Sequence, residues 1–220
     1  MRHYSQLIRD HHDNSYDVFG FVDGVSFTIG DDSDPILQNG YWNGWKARCT
    51  VSNIFAYSSD GCCMWARINC PGSWHDARVA EPLLSKMTSC PAPYSLVADS
   101  AFPSKGIYDQ KIRTPAKANQ RLNREQVLYS NELTTLRQAC EWGMRALEGG
   151  FGRLKTILPI DPHIRGDIIA NCIYLFNLRT RWTAVNQIKT VYDPRWKTSS
   201  LYSSNNKRIA RYYRIIEDTD

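Results

Sequence analysis

Short apolar runs dominate the first hundred residues of this chain, and three- and four-residue spacing takes over beyond residue 130. Residues 18–29 are rich in Val and Phe and read as a strand or the start of a hairpin. The acidic stretch 30–35 breaks that run and reads as a solvated turn. Residues 45–57 (Cys49, Val51, Ile54, Phe55) and 62–68 read as second and third strands, separated by the turn signal Ser58-Ser59-Asp60-Gly61. Residues 75–87, with Val79, Leu83 and Leu84, suit a helix, and 94–98 a fourth strand. Residues 103–132 look irregular and basic. From 133 to 158, Leu133, Leu136, Cys140, Leu147, Phe151, Leu154 and Leu158 recur at helical spacing, weakened at Gly149 and Gly150. Residues 164–185 are apolar nearly all round, the pattern of a buried helix. The first 16 residues are polar and His-rich without periodicity, 192–206 read as a loop, and 207–216 as a basic terminal helix or tail.

Three antiparallel-type strands, a helix, another strand and then helices predict an α/β domain. The expected architecture is a central mixed sheet, three antiparallel strands then parallel ones, flanked by helices. That order matches a ribonuclease H-like domain, in which the first and fourth strands lie side by side at the sheet centre. Residues 1–16 are then a lead-in, 17–190 the ribonuclease H-like domain, and 191–220 a basic tail of loop and short helix.

Composition narrows the class. A mass of 25.3 kDa suits one well-packed domain. No apolar run approaches the roughly 20 residues that cross a bilayer, and the start has no signal-peptide core. A soluble, intracellular protein with no membrane partner is expected. The seven cysteines are odd in number and lack C-x-x-C spacing, so they read as reduced thiols. The net charge of +5 hides an asymmetry: seven basic against eleven acidic residues over 1–100, twenty against eleven over 101–220. A basic second half points to a polyanionic partner, nucleic acid first, with an ordinary solvated surface as the plain alternative.

Three carboxylates stand in distinctive frames: Asp23 in Phe21-Val22-Asp23-Gly24, Asp99 in Leu96-Val97-Ala98-Asp99-Ser100, and Glu141 in Arg137-Gln138-Ala139-Cys140-Glu141-Trp142. Each aspartate ends a strand-like apolar run, and the glutamate lies on the long helix. Carboxylates set close together repel unless cations hold them, and Mg²⁺ and Mn²⁺ prefer oxygen ligands. Two such ions can serve the attacking and leaving oxygens of a phosphodiester. Glu148 projects within about 20° of Glu141 but about 10.5 Å further along the axis, so at most one of them reaches a given metal pair. Arg137, Arg145 and Lys155 share that flank, for phosphates or for pairing with the glutamates.

Six segments fall in the order of a known family: Val22-Asp23-Gly24, Gly44-Trp45-Lys46, Pro71-Gly72-Ser73-Trp74-His75-Asp76, Val97-Ala98-Asp99-Ser100, residues 137–142, and Phe151-Gly152-Arg153-Leu154-Lys155. In them the chain resembles the PIF/Harbinger-type transposases of the DDE superfamily of nucleases, in particular a lineage of fungi and oomycetes. The resemblance implies a ribonuclease H-like fold, a divalent metal (Mg²⁺ or Mn²⁺), and DNA strand cleavage with joining, in the nucleus. It maps the catalytic and metal-binding carboxylates onto Asp23, Asp99 and Glu141, with Glu148 as the alternative third. His75, Asp76, Lys46, Arg137, Arg145 and Lys155 fall to support or DNA contact. Family members carry an N-terminal DNA-binding region ahead of the first catalytic strand. This chain starts near that strand, so DNA is the expected partner, with a separate DNA-binding protein and a second copy of the chain as further options. The alternative function is a non-catalytic, transposase-derived DNA-binding or protein-interaction module, favoured by the basic tail (Lys207, Arg208, Arg211, Arg214). A ribonuclease acting on RNA or hybrids is the third option.

Overall fold

A computed structural model describes residues 1–12, 17–117, 120–183 and 185–193. The tail with Lys207, Arg208, Arg211 and Arg214, and the terminal helix expected there, lie outside the described residues. Among the described residues no helix is long and apolar enough to cross a membrane, and the seven cysteines are free thiols.

A six-stranded mixed sheet forms the centre, built from β1 (Val18–Thr28), β2 (Trp42–Asn43), β3 (Arg48–Ser58), β4 (Cys63–Pro71), β5 (Ser95–Ala98) and β6 (Ile112–Arg113). Its order is β2-β3-β1-β5-β6, with β4 also paired to β3. The β1/β3 and β3/β4 pairs are antiparallel, while β1/β5 and β5/β6 are parallel. The expected neighbours, the strands at 18–29 and 94–98, are therefore hydrogen-bonded side by side. β3 is buried at every position from Cys49 to Ser58, as befits a strand covered on both faces.

Alternation along the strands sorts side chains into two layers. On one face Val22, Ile54, Ala56, Leu96 and Ala98 pack against Val79, Leu83 and Leu84 of α3 (Asp76–Thr88). On the other, Phe21, Phe27, Phe55, Tyr57 and Val97 pack against α4 (Arg124–Gly150) and α5 (Pro162–Thr183). Close approach of α4 depends on Gly143. A Cβ there would stand 2.9 Å from carbons of the Tyr57 ring, and Tyr57 is fully buried with no room to yield. Overpacking of this kind costs about 1–3 kcal/mol, against about 1 kcal/mol that alanine returns as helix propensity. Gly143→Ala is expected to lower stability in denaturant melts despite being the better helix former.

Local capping chemistry accounts for most departures from the expected elements. Residues 2–9, expected as part of a polar lead-in, form α1 (Arg2–Arg9), which buries Leu7 and Ile8 in the core. Two apolar anchors are too few to give a periodic signal. The acidic turn leads into α2 (Pro35–Tyr41): the Asp34 side chain accepts from the Ile36 N–H and caps it, with Pro35 at the first position. The stretch expected to be irregular to residue 132 holds β6 and the first turns of α4. That helix starts at an Asn123–Gln126 capping box. It ends at Gly150 rather than running on to 158. A single 3-10 turn (Gly152–Lys155) follows, and α6 (Gln187–Tyr192) fills the stretch between the helix expected at 164–185 and the loop expected from 192.

Candidate active site

Register places the two aspartates together. Val22 of β1 is opposite Ala98 of β5, so Asp23 and Asp99 occupy the next positions of a parallel pair. Asp23 follows Phe21 in the alternation, on the face that meets α4. Its backbone neighbour Gly24 donates its N–H to Asp23 Oδ1 at 2.8 Å. From α4, a guanidinium nitrogen of Arg137 stands 3.8 Å from Asp23 Oδ2. Burial pushes the Asp23 carboxyl up to about 6. The Gly24 N–H and Arg137 pull against that rise, while the charges of Asp99 and Asp76 add to it.

Asp76 enters from the opposite layer, as the first residue of α3. Its carboxyl is raised first by burial and then by Asp99, with Lys46 and His75 pulling it back. Its carboxylate rests on the backbone of Gly24: a Cβ on Gly24 would lie 2.6 Å from Asp76 Cγ. The Asp23-Gly24 pair thus has a packing reason, because only glycine leaves room for Asp76 beside Asp23. His75 precedes α3 at the N-cap position without a side-chain capping bond.

Glu141 joins through Arg137. Its Oε1 accepts from Arg137 at 3.3 Å and its Oε2 from Arg145 at 3.5 Å, both at four-residue helical spacing. One guanidinium therefore spans Asp23 and Glu141. Glu148, two turns on, instead contributes its charge at the buried Tyr57 phenol. Arg137 is partly buried, whereas Arg145, Lys155 and Lys46 are exposed. Beside Asp99, beginning at Ser100, an open groove of about 850 Å³ carries Lys105 and Lys117 on its walls.

The residue types suit a hard divalent cation: Asp23 and Asp99 follow the last β1/β5 pair, Asp76 starts α3, and a fourth carboxylate lies one guanidinium away. Three aspartates acting on one another, with Arg137 the one ion pair made by Asp23 among the described residues, leave a local excess of negative charge that a cation would relieve. Among the described residues no three His, Cys, Asp or Glu side chains are already drawn tightly enough to hold an ion. Sequence reasoning gave Asp76 only a supporting part, and it missed the packing role of Gly24. The Gly immediately after the first Asp was the visible signal for both.

Residues 22–177, well over half of the chain, match a family model described as DDE superfamily endonuclease. No curated protein and no solved structure matches the chain.

Proposed function

Because the chain belongs to the DDE superfamily of endonucleases, we propose that it is a transposase-derived nuclease that cuts DNA phosphodiesters at Asp23, Asp99 and Glu141. The observation that carries this reading is the meeting of Asp23, Asp99 and Asp76 at one end of the β1/β5 pair, with Glu141 tied to Asp23 through Arg137. The strand order, with its parallel central pair, supports a ribonuclease H-like assignment. The six ordered segments support the PIF/Harbinger subtype, and the domain is read as 17–190.

Asp23, Asp99 and Glu141 would hold Mg²⁺ or Mn²⁺. When bound, such ions activate the attacking water and stabilise charge on the leaving oxygen. The protein's own residues set the rest. Burial of Asp23 keeps water from screening its charge, so the carboxylate binds a cation more strongly than an exposed one would. Gly24 orients Asp23 by donating to Oδ1. Asp76 adds negative charge and braces the middle of β1 at Gly24. Arg137 and Arg145 neutralise Glu141 in the resting protein. Transfer of Arg145, largely exposed, to a DNA phosphate frees one Glu141 oxygen. A freed 3′-hydroxyl joining a second strand is the further step that this family reading carries.

Purified protein with Mn²⁺ is tested on duplex DNA, RNA and an RNA–DNA hybrid of the same sequence. Cleavage of duplex DNA as the fastest reaction is expected. Preferred cleavage of RNA or hybrid would replace the DNA reading. Salt-dependent DNA binding without cleavage, unchanged in Asp23→Ala, would replace catalysis with the binding-module reading.

A further inference from the structure

Between β1 and β3 the chain forms a flap, α2 followed by the edge strand β2 paired to β3, with apolar side chains that face solvent. No residue of α2 is buried. Ile36 is 81% exposed, Leu37 50%, Trp42 45%, and Trp45, in the β2–β3 turn, 98%. An indole held almost wholly in water does nothing for this fold, and it stands out against the exposed Leu and Ile usual on protein surfaces.

The flap is firmly based. Arg165, fully buried, donates to the Tyr41 hydroxyl at 3.0 Å and stacks its guanidinium 4.9 Å over the Tyr41 ring. Asn43 Nδ2 donates to the Gly72 carbonyl at 3.2 Å, and the Ser73 hydroxyl to the Gly40 carbonyl at 2.8 Å. The turn itself is closed by the Lys46 N–H donating to Asn43 Oδ1 and by Arg48 Nε donating to the Lys46 carbonyl, each at 3.2 Å. Ala47 takes up the positive φ of +49° that the turn requires. Around Gly44, open space surrounds the tip. A rigid turn therefore holds Trp45 clear of the protein, with the cations Lys46 and Arg48 immediately after it. The turn also lies toward the carboxylates, since its base is bonded to Gly72 and Ser73, just ahead of Asp76 at the start of α3.

We propose that Trp45 stacks on an unpaired base of the DNA substrate beside the carboxylate cluster, with Lys46 and Arg48 meeting the flanking phosphates. This rests on the DNA-cutting reading above. Every base presents a π face, and a guided phosphate chain places bases in succession, so an aromatic platform interleaved with cations fits single-stranded nucleic acid. A wholly paired duplex keeps its faces stacked on one another and offers Trp45 nothing to cover. The geometry thus assigns the flap to distorted, gapped or frayed DNA at the cleavage site.

The test uses the full chain without divalent ions, so that no strand is cut. Binding is followed with a duplex that carries a short single-stranded overhang with 2-aminopurine, and with a fully paired duplex of the same length. Wild-type protein is expected to quench the overhang probe. Trp45→Ala is expected to bind the overhang about tenfold or more weakly and to leave the paired duplex within about twofold. Trp45→Phe, which keeps an aromatic face, should recover most of the loss. Equal affinity of Trp45→Ala and wild type for the overhang would overturn the proposal, as would an equal loss on both DNAs. A wild-type dimer that Trp45→Ala converts to monomer in sedimentation, with DNA binding unchanged, would assign the flap to a second copy instead. Failure of wild-type protein to bind either DNA would overturn the nuclease reading itself, a result distinct from failure of the Trp45 assignment.

Discussion

Replacing Asp23 with Asn is expected to stabilise the metal-free protein at neutral pH while destroying its activity. Asp23 has its carboxyl raised from 3.8 to about 6, chiefly by burial. A carboxyl raised in the folded state contributes stability below its unfolded value, and that contribution is lost as pH rises through the folded one. Below about pH 3.8 the wild-type side chain is neutral in both states and matches Asn. Between about 3.8 and 6 the unfolded chain ionises while the folded carboxyl keeps its proton, so the deficit grows, and above that window both states are ionised and the deficit is constant. A shift of this size corresponds to about 3 kcal/mol at its plateau, and Asp23 is 20% exposed, so solvent screens little of it. The advantage of Asp23→Asn should grow from about 1 kcal/mol at pH 4.5 to about 3 kcal/mol at pH 7.5. For a chain of this length that is a gain of roughly 6 °C or more in Tm. Asn retains an oxygen for the Gly24 N–H, so the local hydrogen bond is preserved. Urea melts of both proteins in EDTA across that range check the sign and size.

The two glutamates give the second large contrast. Glu141→Gln is expected to lower the cleavage rate at least about 100-fold, on the scale of losing one preorganised charged group at a reaction centre. Glu148→Gln should stay within about threefold of wild type. The difference comes from the bridge: Arg137 contacts Asp23 and Glu141 together, while Glu148 lies two turns away. Both residues sit on a surface-accessible flank of α4, so neither substitution should disturb folding, and single-turnover cleavage in Mn²⁺ separates them. The opposite order, with Glu148→Gln the inactive protein, would transfer the third carboxylate to residue 148.

Much of this site could be read before any coordinates. Asp23 and Asp99 end runs of buried apolar residues, and burial on both faces of a central strand demands such runs. The parallel pairing of β1 and β5 then brings those ends together. Glu141 and Glu148 could not be told apart, because helical periodicity assigns both to one flank. Only the crossing of α4 over the sheet, set by Gly143 against Tyr57, decides which one meets Asp23 through an arginine. The contact of Asp76 with Gly24 was hidden for a similar reason: it joins two layers far apart in sequence. Trp45 was read as the first residue of a strand, since an aromatic beside Cys49 and Val51 fits a pleat. Nothing local announces that β3 begins three residues later, at Arg48, leaving the indole in a turn. The elements missed altogether, α1 and α2, bury too little to leave a pattern.

The carboxylates just beyond the last β1/β5 pair are proposed to form an ion-dependent centre for cutting DNA. The most direct measurement is nicking of supercoiled plasmid by wild-type and Asp23→Asn protein, side by side, over a Mn²⁺ titration that starts in EDTA. The account predicts nicking by wild type that rises with the ion and vanishes in EDTA, and a rate at least about a thousandfold lower for the folded Asp23→Asn protein. Wild-type and Asp23→Asn proteins that nick at the same rate, or a well-folded wild type that never nicks at any ion concentration, would contradict it.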